Sequence, residues 1–173
     1  MSRIITESGM NFIADNAFHI EKSPAYTKLG KCVKSVEFVR LKGDKLLFIE
    51  AKSSFPNPNN PTSNPENGNK TGSELFQEEI IDIYDKFTHS LNLYLAVYVG
   101  VTEYRLPQEH LPSDKVSLAF VLVINGFERS WCEEIERALR NKIGKSVCLS
   151  RIWKPEVYVI NQESASKRHL TKA

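Results

Sequence analysis

Cysteine is scarce in this 173-residue chain, which has only Cys32, Cys132 and Cys148. The count is odd and no CxxC pair occurs, so the sequence supports neither a disulfide framework nor a zinc knuckle. Reduced thiols in a cytosolic protein are the simplest interpretation of this usage.

Long apolar runs and an excess of one charge are also missing. No run approaches the length of a membrane-spanning helix, and the opening residues, MSRIITESGMNF, lack the apolar segment of a secretory signal. We therefore expect a cytoplasmic protein with no membrane partner. Lys and Arg total 23 against 21 Asp and Glu, a net charge of +2. This balance neither requires nor excludes a nucleic-acid partner, because a basic groove can be local.

Hydrophobic residues make up 41% of the chain, enough for a sizeable core and too many for a disordered protein. The length favours a single domain over residues 1–173. Residues 53–73, with prolines at 56, 58, 61 and 65, predict a structureless loop, more typical of a surface insertion than of a functional segment. Residues 162–173 form a basic tail that we expect to fray.

Hydrophobic periodicity predicts most of the regular elements. Strands are predicted over 35–41 and 46–52, joined by a tight turn at Gly43 and Asp44. Thr71 and Glu74 predict a capping box that begins a helix. Further along come a strand over 115–126, buried on both faces, a helix over 128–144 and a strand over 155–161. The apolar side of the second helix is predicted from Trp131, Ile135, Leu139 and Ile143.

Three stretches are harder to assign. Residues 17–23 alternate in polarity and indicate a short strand. Residues 5–13 fit either a helix or a strand. Residues 94–101 could extend the preceding helix, but their β-branched content favours a strand. The resulting order of strand, strand, strand, helix, strand, helix, strand predicts an α/β fold of the mixed-sheet, α+β kind. Helices flank the sheet, which is antiparallel in its first half and parallel in its second.

The predicted hairpin brings charged residues together. With Gly43 and Asp44 as the turn, Leu41 faces Leu46, and counting outward places Glu37 opposite Glu50. Paired residues of an antiparallel ladder share a face, and alternation puts Lys52 on that same face. Two opposed carboxylates repel each other unless a cation lies between them. A divalent metal ion with oxygen ligands could fill this role, and Lys52 alone could do so in part.

Such a set of groups suits phosphodiester hydrolysis. Carboxylates hold Mg²⁺ or Mn²⁺, the ion activates water and neutralises phosphate charge, and a lysine stabilises the anionic transition state or helps to orient and deprotonate the water. The stretch VEFVRLKGDKLLFIEAKSS resembles the core of the PD-(D/E)xK nuclease superfamily, which has a restriction-endonuclease-like fold. Glu50-Ala51-Lys52 matches the (D/E)-x-K part of that signature, and Glu37 stands where the first acid usually stands.

The resemblance implies roles for individual residues. Glu37 and Glu50 would ligate the metal together with the Ala51 carbonyl, and Lys52 would be the catalytic lysine. The sequence departs from the family in having Glu at the first acid and no Pro-Asp dipeptide before it. Many members carry another acid on a leading helix, for which the candidates here are Glu21 and Glu7. Gln77 is a further accessory candidate, at the start of the helix that follows the motif.

The sequence therefore leaves two candidate functions open. The first is a Mg²⁺- or Mn²⁺-dependent nuclease, with DNA as the expected substrate, acting alone, as a homodimer or with a protein partner. The alternative is a non-catalytic module that keeps the fold and binds nucleic acid or a protein.

Other polar residues are expected to have ordinary roles. The four histidines, His19, His89, His110 and His169, show no ligand spacing. Trp131 and Trp153 are expected to pack rather than to stack on bases.

Overall fold

The computed structural model describes residues 3–29, 32–60, 70–112 and 115–172. Its strands are β1 Ile4–Glu7, β2 Met10–Ile13, β3 Ala17–Phe18, β4 Phe38–Lys42, β5 Lys45–Lys52, β6 Ser117–Ile124 and β7 Glu156–Asn161. The centre of the fold is a five-stranded mixed sheet with the strand order β3-β4-β5-β6-β7. The α-helices are α1 Pro24–Thr27, α2 Gly72–Tyr98, α3 Arg129–Gly144 and α4 Gln162–Lys167. The predicted mixed α/β architecture is confirmed, with antiparallel pairing from β3 to β5 and parallel pairing from β5 to β7.

The two faces of the sheet are covered by different elements. Helices α2 and α3 pack on one face, where Phe48 of β5 meets Phe120 of β6, and Phe120 stacks on Phe87 of α2 with ring centroids 4.6 Å apart. The β1–β2 hairpin and α4 cover the opposite face, where Ile49 is buried in a second apolar cluster. Successive residues of β5 therefore point to opposite layers, as strand geometry requires.

The predicted turn and register of the β4–β5 hairpin are confirmed. Lys42 pairs with Lys45, Leu41 with Leu46, and the ladder runs out to Phe38 and Ile49. Gly43 has a φ of +60°. Glycine adopts this left-handed backbone without a steric penalty, which is why it suits the first central position of a two-residue hairpin turn.

Helix α2 begins where the sequence predicted and ends later. The Thr71–Glu74 capping box is confirmed, with both reciprocal hydrogen bonds present. The strand favoured over 94–101 is wrong, because α2 continues through Tyr98. Leu93, Tyr94 and Val97 continue its buried face. Burial at helical spacing here outweighs the β propensity of the valines.

The N-terminal segment forms the β1–β2 hairpin, which resolves the stretch that the sequence left open. Its two turn residues, Ser8 and Gly9, have φ of +50° and +75°. Positive φ at both central positions is the type I′ geometry that matches the twist of a hairpin. The strand predicted over 17–23 is shorter than expected, since only Ala17–Phe18 pairs with β4.

The predictions for the tail, the long loop and α3 can be compared with the described residues. The frayed tail is wrong for the described residues: 162–167 form α4, and Leu170 and Thr171 are buried. Much of the predicted structureless loop, residues 61–69, lies outside the described residues, while Phe55 at its start is buried against Phe76. Trp131 is 48% exposed, so the buried side of α3 begins at Cys132 rather than at the tryptophan.

Among the helices in the described ranges, none combines the length and the hydrophobicity that crossing a bilayer requires.

Candidate active site

Glu50 is the buried centre of the candidate site. It lies near the end of β5, two residues after Phe48, so its side chain points into the layer between the sheet and α2. Its side chain is 1% exposed. Lys86 of α2 donates a hydrogen bond to Oε1 over 2.6 Å, whereas the other oxygen, Oε2, is buried without a partner.

The buried position dominates the ionisation of Glu50. Burial raises its pKa to about 7, although the charges of Lys86 and Lys52 act in the opposite direction. Burial alone would lower the pKa of Lys86, but the Glu50 carboxylate and the hydrogen bond to it outweigh burial, and the net shift is upward. Lys86 therefore remains a cation at neutral pH, facing a carboxyl group that ionises close to neutrality.

Lys52 lies on the same face of β5 and turns towards acids of α2. Its Nζ is 2.7 Å from Oε1 of Glu79, 3.9 Å from Oε1 of Glu50 and 3.9 Å from Oδ2 of Asp82. Its side chain is 24% exposed, so it lies at the edge of the cluster and is partly open to solvent. The predicted proximity of Lys52 to Glu50 is present, with Glu79 as the closer carboxylate.

Glu37 lies one residue before the first pair of the β4–β5 ladder, Phe38 with Ile49. Glu37 is at a bend outside the ladder, so the strand predicted from residue 35 begins only at Phe38, and the predicted pairing of Glu37 with Glu50 is not formed. Burial, the neighbouring carboxyl group of Glu21 and the charge of Glu50 raise the pKa of Glu37 to about 8. Oε2 of Glu37 is buried without a hydrogen-bond partner. Glu21, an accessory candidate from the sequence, thus lies beside the carboxyl pair.

A histidine and a third glutamate adjoin Glu37 on its other side. One ligand atom each from Glu7, His19 and Glu37 lie within 4.8 Å of one another. Nε2 of His19 is 3.5 Å from Oε1 of Glu7, and it is buried without a hydrogen-bond partner. Burial and the charge of Lys22 lower the pKa of His19, although Glu7 opposes the shift. The imidazole is therefore neutral at pH 7.

The β1–β2 turn is fastened to the end of the central strands, and this fixes Glu7. Oγ of Ser8 donates to the Ala51 carbonyl over 3.0 Å, and Nδ2 of Asn125 donates to the Ser8 carbonyl over 3.1 Å. The Ala51 carbonyl, predicted as a metal ligand, therefore already accepts one hydrogen bond. A carbonyl oxygen has two lone pairs, so one acceptor direction remains.

Sequence reasoning missed the contribution of α2. Glu79, Asp82 and Lys86 lie three and four residues apart, which is the spacing of a single helix face. That spacing, next to the buried stripe of Ile80, Ile83 and Phe87, was the available signal. Gln77, the residue proposed from this helix, is exposed, and no contact joins it to the cluster within the described part of the chain.

The residues fit a hard divalent cation. Glu37 and Glu50 each present a buried carboxylate oxygen without a partner, and oxygen-rich sites of this kind suit Mg²⁺ and Mn²⁺. Carboxyl groups also outnumber lysines around the cluster: Glu7, Glu21, Glu37, Glu50, Glu79, Asp82 and Asp85 against Lys22, Lys34, Lys52 and Lys86. Once Glu37 and Glu50 lose their protons, the cluster therefore carries an excess of negative charge that a metal ion would compensate.

None of the family models, curated proteins or solved structures compared with this chain matches it. The fold and the site define an α+β protein with a five-stranded mixed sheet and a buried acidic cluster that contains lysines.

Proposed function

We propose that this chain is a metal-dependent nuclease of the PD-(D/E)xK kind, with a restriction-endonuclease-like core. The observation that carries the proposal is the placement of Glu37, Glu50 and Lys52 at one end of the β4–β5 hairpin. Glu50 is a buried carboxyl and Glu37 a half-buried one, each with a buried oxygen that lacks a hydrogen-bond partner, and Lys52 contributes an ammonium group 3.9 Å from Glu50. The order of hairpin, helix, strand, helix and strand supports the same fold.

Glu37 and Glu50 would hold Mg²⁺ or Mn²⁺, with the free acceptor direction of the Ala51 carbonyl as a further oxygen. Glu21 would support Glu37 from the side. When bound, the ion lowers the pKa of water and neutralises charge on the phosphate. Because both carboxyls have raised pKa values, loading the site requires that they release protons.

The lysines have different roles in this proposal. Lys52 reaches the edge of the cluster, where its ammonium group can stabilise developing negative charge or orient the attacking water. Glu79, 2.7 Å away, holds that ammonium group in position. Lys86 is deeper in the protein and compensates the charge of Glu50. Lys86 is thus a positioning residue and Lys52 the proposed catalytic one.

The test is a cleavage assay on labelled double-stranded DNA, single-stranded DNA and RNA, with Mn²⁺, Mg²⁺ or EDTA. We expect cleavage of DNA that requires the metal and that Glu50→Gln abolishes. Glu163→Gln is the matched control, because Glu163 forms an exposed ion pair with Lys167 on α4. Cleavage that survives in EDTA, or that Glu50→Gln leaves intact, would refute the assignment.

A second candidate function has one observation in its favour. Lys86 and Lys52 already form ion pairs with Glu50 and Glu79 at 2.6 and 2.7 Å, so the acids are partly compensated without a metal ion. In a non-catalytic module that binds nucleic acid or a protein through this fold, the cluster would consist of such ion pairs and would hold no metal ion. Absence of cleavage on all substrates, combined with DNA or RNA binding in the same buffers, would favour this alternative.

A further inference from the structure

We propose that Glu7, His19 and Glu37 form a second site, for a transition-metal ion of the Zn²⁺ or Co²⁺ class. The three side chains come from different parts of the chain: the end of β1, the residue after β3 and the residue before β4. The site shares Glu37 with the proposed nuclease centre, but it does not depend on nuclease activity.

The unpartnered atoms point to a ligand. Nε2 of His19 and Oε2 of Glu37 are both buried and lack a hydrogen-bond partner. One ligand atom from each of the three residues falls within 4.8 Å of the other two. In a tetrahedral site with bonds of about 2.1 Å, ligand atoms lie about 3.4 Å apart, so the three atoms would have to approach one another by up to about 1.4 Å. Glu7 can supply this movement, because its side chain is 20% exposed and reaches the surface.

The ammonium group of Lys22 already forms an ion pair with one of the three ligands. Nζ of Lys22 lies 3.0 Å from Oε1 of Glu7, but the Lys22 side chain is 65% exposed and can swing into solvent. A metal ion can therefore replace this ammonium group without disturbing buried residues. The remaining ligands are held by the fold, since His19 packs edge-on against Phe38 and the Ser8–Ala51 hydrogen bond fixes the turn next to Glu7.

The ligand set determines the class of ion. Imidazole nitrogen suits Zn²⁺ and the later first-row transition-metal ions, whereas Mg²⁺ and Mn²⁺ prefer oxygen ligands and Mg²⁺ keeps much of its water. Two carboxylates and one imidazole leave further coordination positions open to water or substrate. The site should therefore prefer Zn²⁺ over Mg²⁺, in contrast to the all-oxygen set around Glu50.

The test is titration with Zn²⁺, followed by calorimetry and by ¹⁵N NMR of protein with labelled histidine. We expect the ring nitrogen resonance of His19 to shift on binding, and the affinity to fall at least about tenfold in His19→Gln and in Glu7→Gln. Glu7→Gln keeps the experiment informative should His19→Gln unfold, because Glu7 lies at the rim. His169→Asn is the control: His169 is exposed and has a φ of +55°, a backbone conformation that Asn tolerates.

The outcomes separate this site from the nuclease proposal. Glu50→Gln should leave the His19 shift intact, even if it abolishes cleavage or if the parent cleaves nothing. Unchanged Zn²⁺ affinity in folded His19→Gln and Glu7→Gln would overturn the inference. So would a parent protein whose His19 resonance does not move at saturating Zn²⁺.

Discussion

Nζ of Lys86 lies 2.6 Å from Oε1 of Glu50, and this contact joins the middle of α2 to the end of the central strand β5. Both side chains are largely buried, at 18% and 1% exposed. Removing one member of a buried ion pair leaves the other charge without compensation, which costs more than the pair itself contributes. The contact therefore couples the stability of the fold to the ionisation of the candidate site.

Lys86→Met should destabilise the protein more at high pH than at low pH. Without the ammonium group the pKa of Glu50 rises further above about 7, so at pH 6 the carboxyl stays protonated and the loss is small. At pH 8.5 the Glu50 carboxyl ionises freely in the unfolded state, whereas the folded state of the variant resists its ionisation. We therefore expect the free energy of unfolding to fall by about 1–3 kcal/mol. Urea unfolding at both pH values measures the difference. An equal loss at both, or no recovery in the double variant Lys86→Met/Glu50→Gln, would contradict this reasoning.

The metal-free protein should become less stable as pH rises from about 4.5 to 8. The folded-state pKa of Glu37 is raised to about 8, above the ordinary value of 4.5, so the folded state holds more protons than the unfolded state within this window. Each proton held only by the folded state makes stability fall with rising pH. Glu37→Gln should flatten the slope between pH 5 and 8. Urea unfolding in EDTA checks this, and a variant with the same slope as the parent would exclude Glu37 as its source.

Mn²⁺ should bind more tightly as pH rises from 6 to 8.5, with proton release. Glu37 and Glu50, with pKa values of about 8 and 7, must lose protons before they can ligate the ion. Calorimetry in two buffers of different ionisation enthalpy counts the protons released per ion. We expect more release at pH 6.5 than at pH 9. Affinity that does not change with pH would place the binding site elsewhere.

Gly9→Ala should destabilise the β1–β2 hairpin and displace Glu7. Gly9 has a φ of +75°, and a Cβ there would lie 3.0 Å from Nδ2 of Asn125, which holds the turn. We expect a loss of about 1–3 kcal/mol, together with weaker Zn²⁺ binding. Gly144→Ala is the control, because a Cβ at the end of α3 meets no atom within 4 Å. Thermal unfolding of both variants measures the contrast, and equal effects would show that the turn geometry is unimportant.

Most of what the sequence predicts about the site comes from the β4–β5 hairpin. A glycine turn fixes the β4–β5 register, and side-chain alternation then places Glu50 and Lys52 on one face without further knowledge. The α2 contribution was accessible in principle, because Asp82 and Lys86 lie at helical spacing. It was missed because charges at that spacing usually mark a solvated helix face. Only packing against β5 turns them inward.

His19 and Glu7 could not be predicted as neighbours of Glu37. Their approach depends on how the β1–β2 hairpin docks, through the hydrogen bonds from Ser8 to Ala51 and from Asn125 to Ser8. These contacts join residues far apart in the chain, and no local periodicity encodes them. His19 therefore seemed an ordinary histidine when only spacing along the chain was considered.

The most direct test of the proposed function is single-turnover cleavage of labelled duplex DNA by Lys52→Ala at saturating Mn²⁺. The rate should fall about 100-fold or more, because the ammonium group acts on the transition state or the attacking water. Mn²⁺ affinity should stay close to that of the parent, since the carboxylates hold the ion. Lys28→Ala, which removes the exposed Lys28–Glu103 ion pair, should cut like the parent. A Lys52→Ala protein that cuts as fast as the parent, or a parent that cuts neither DNA nor RNA, would contradict the assignment of this site.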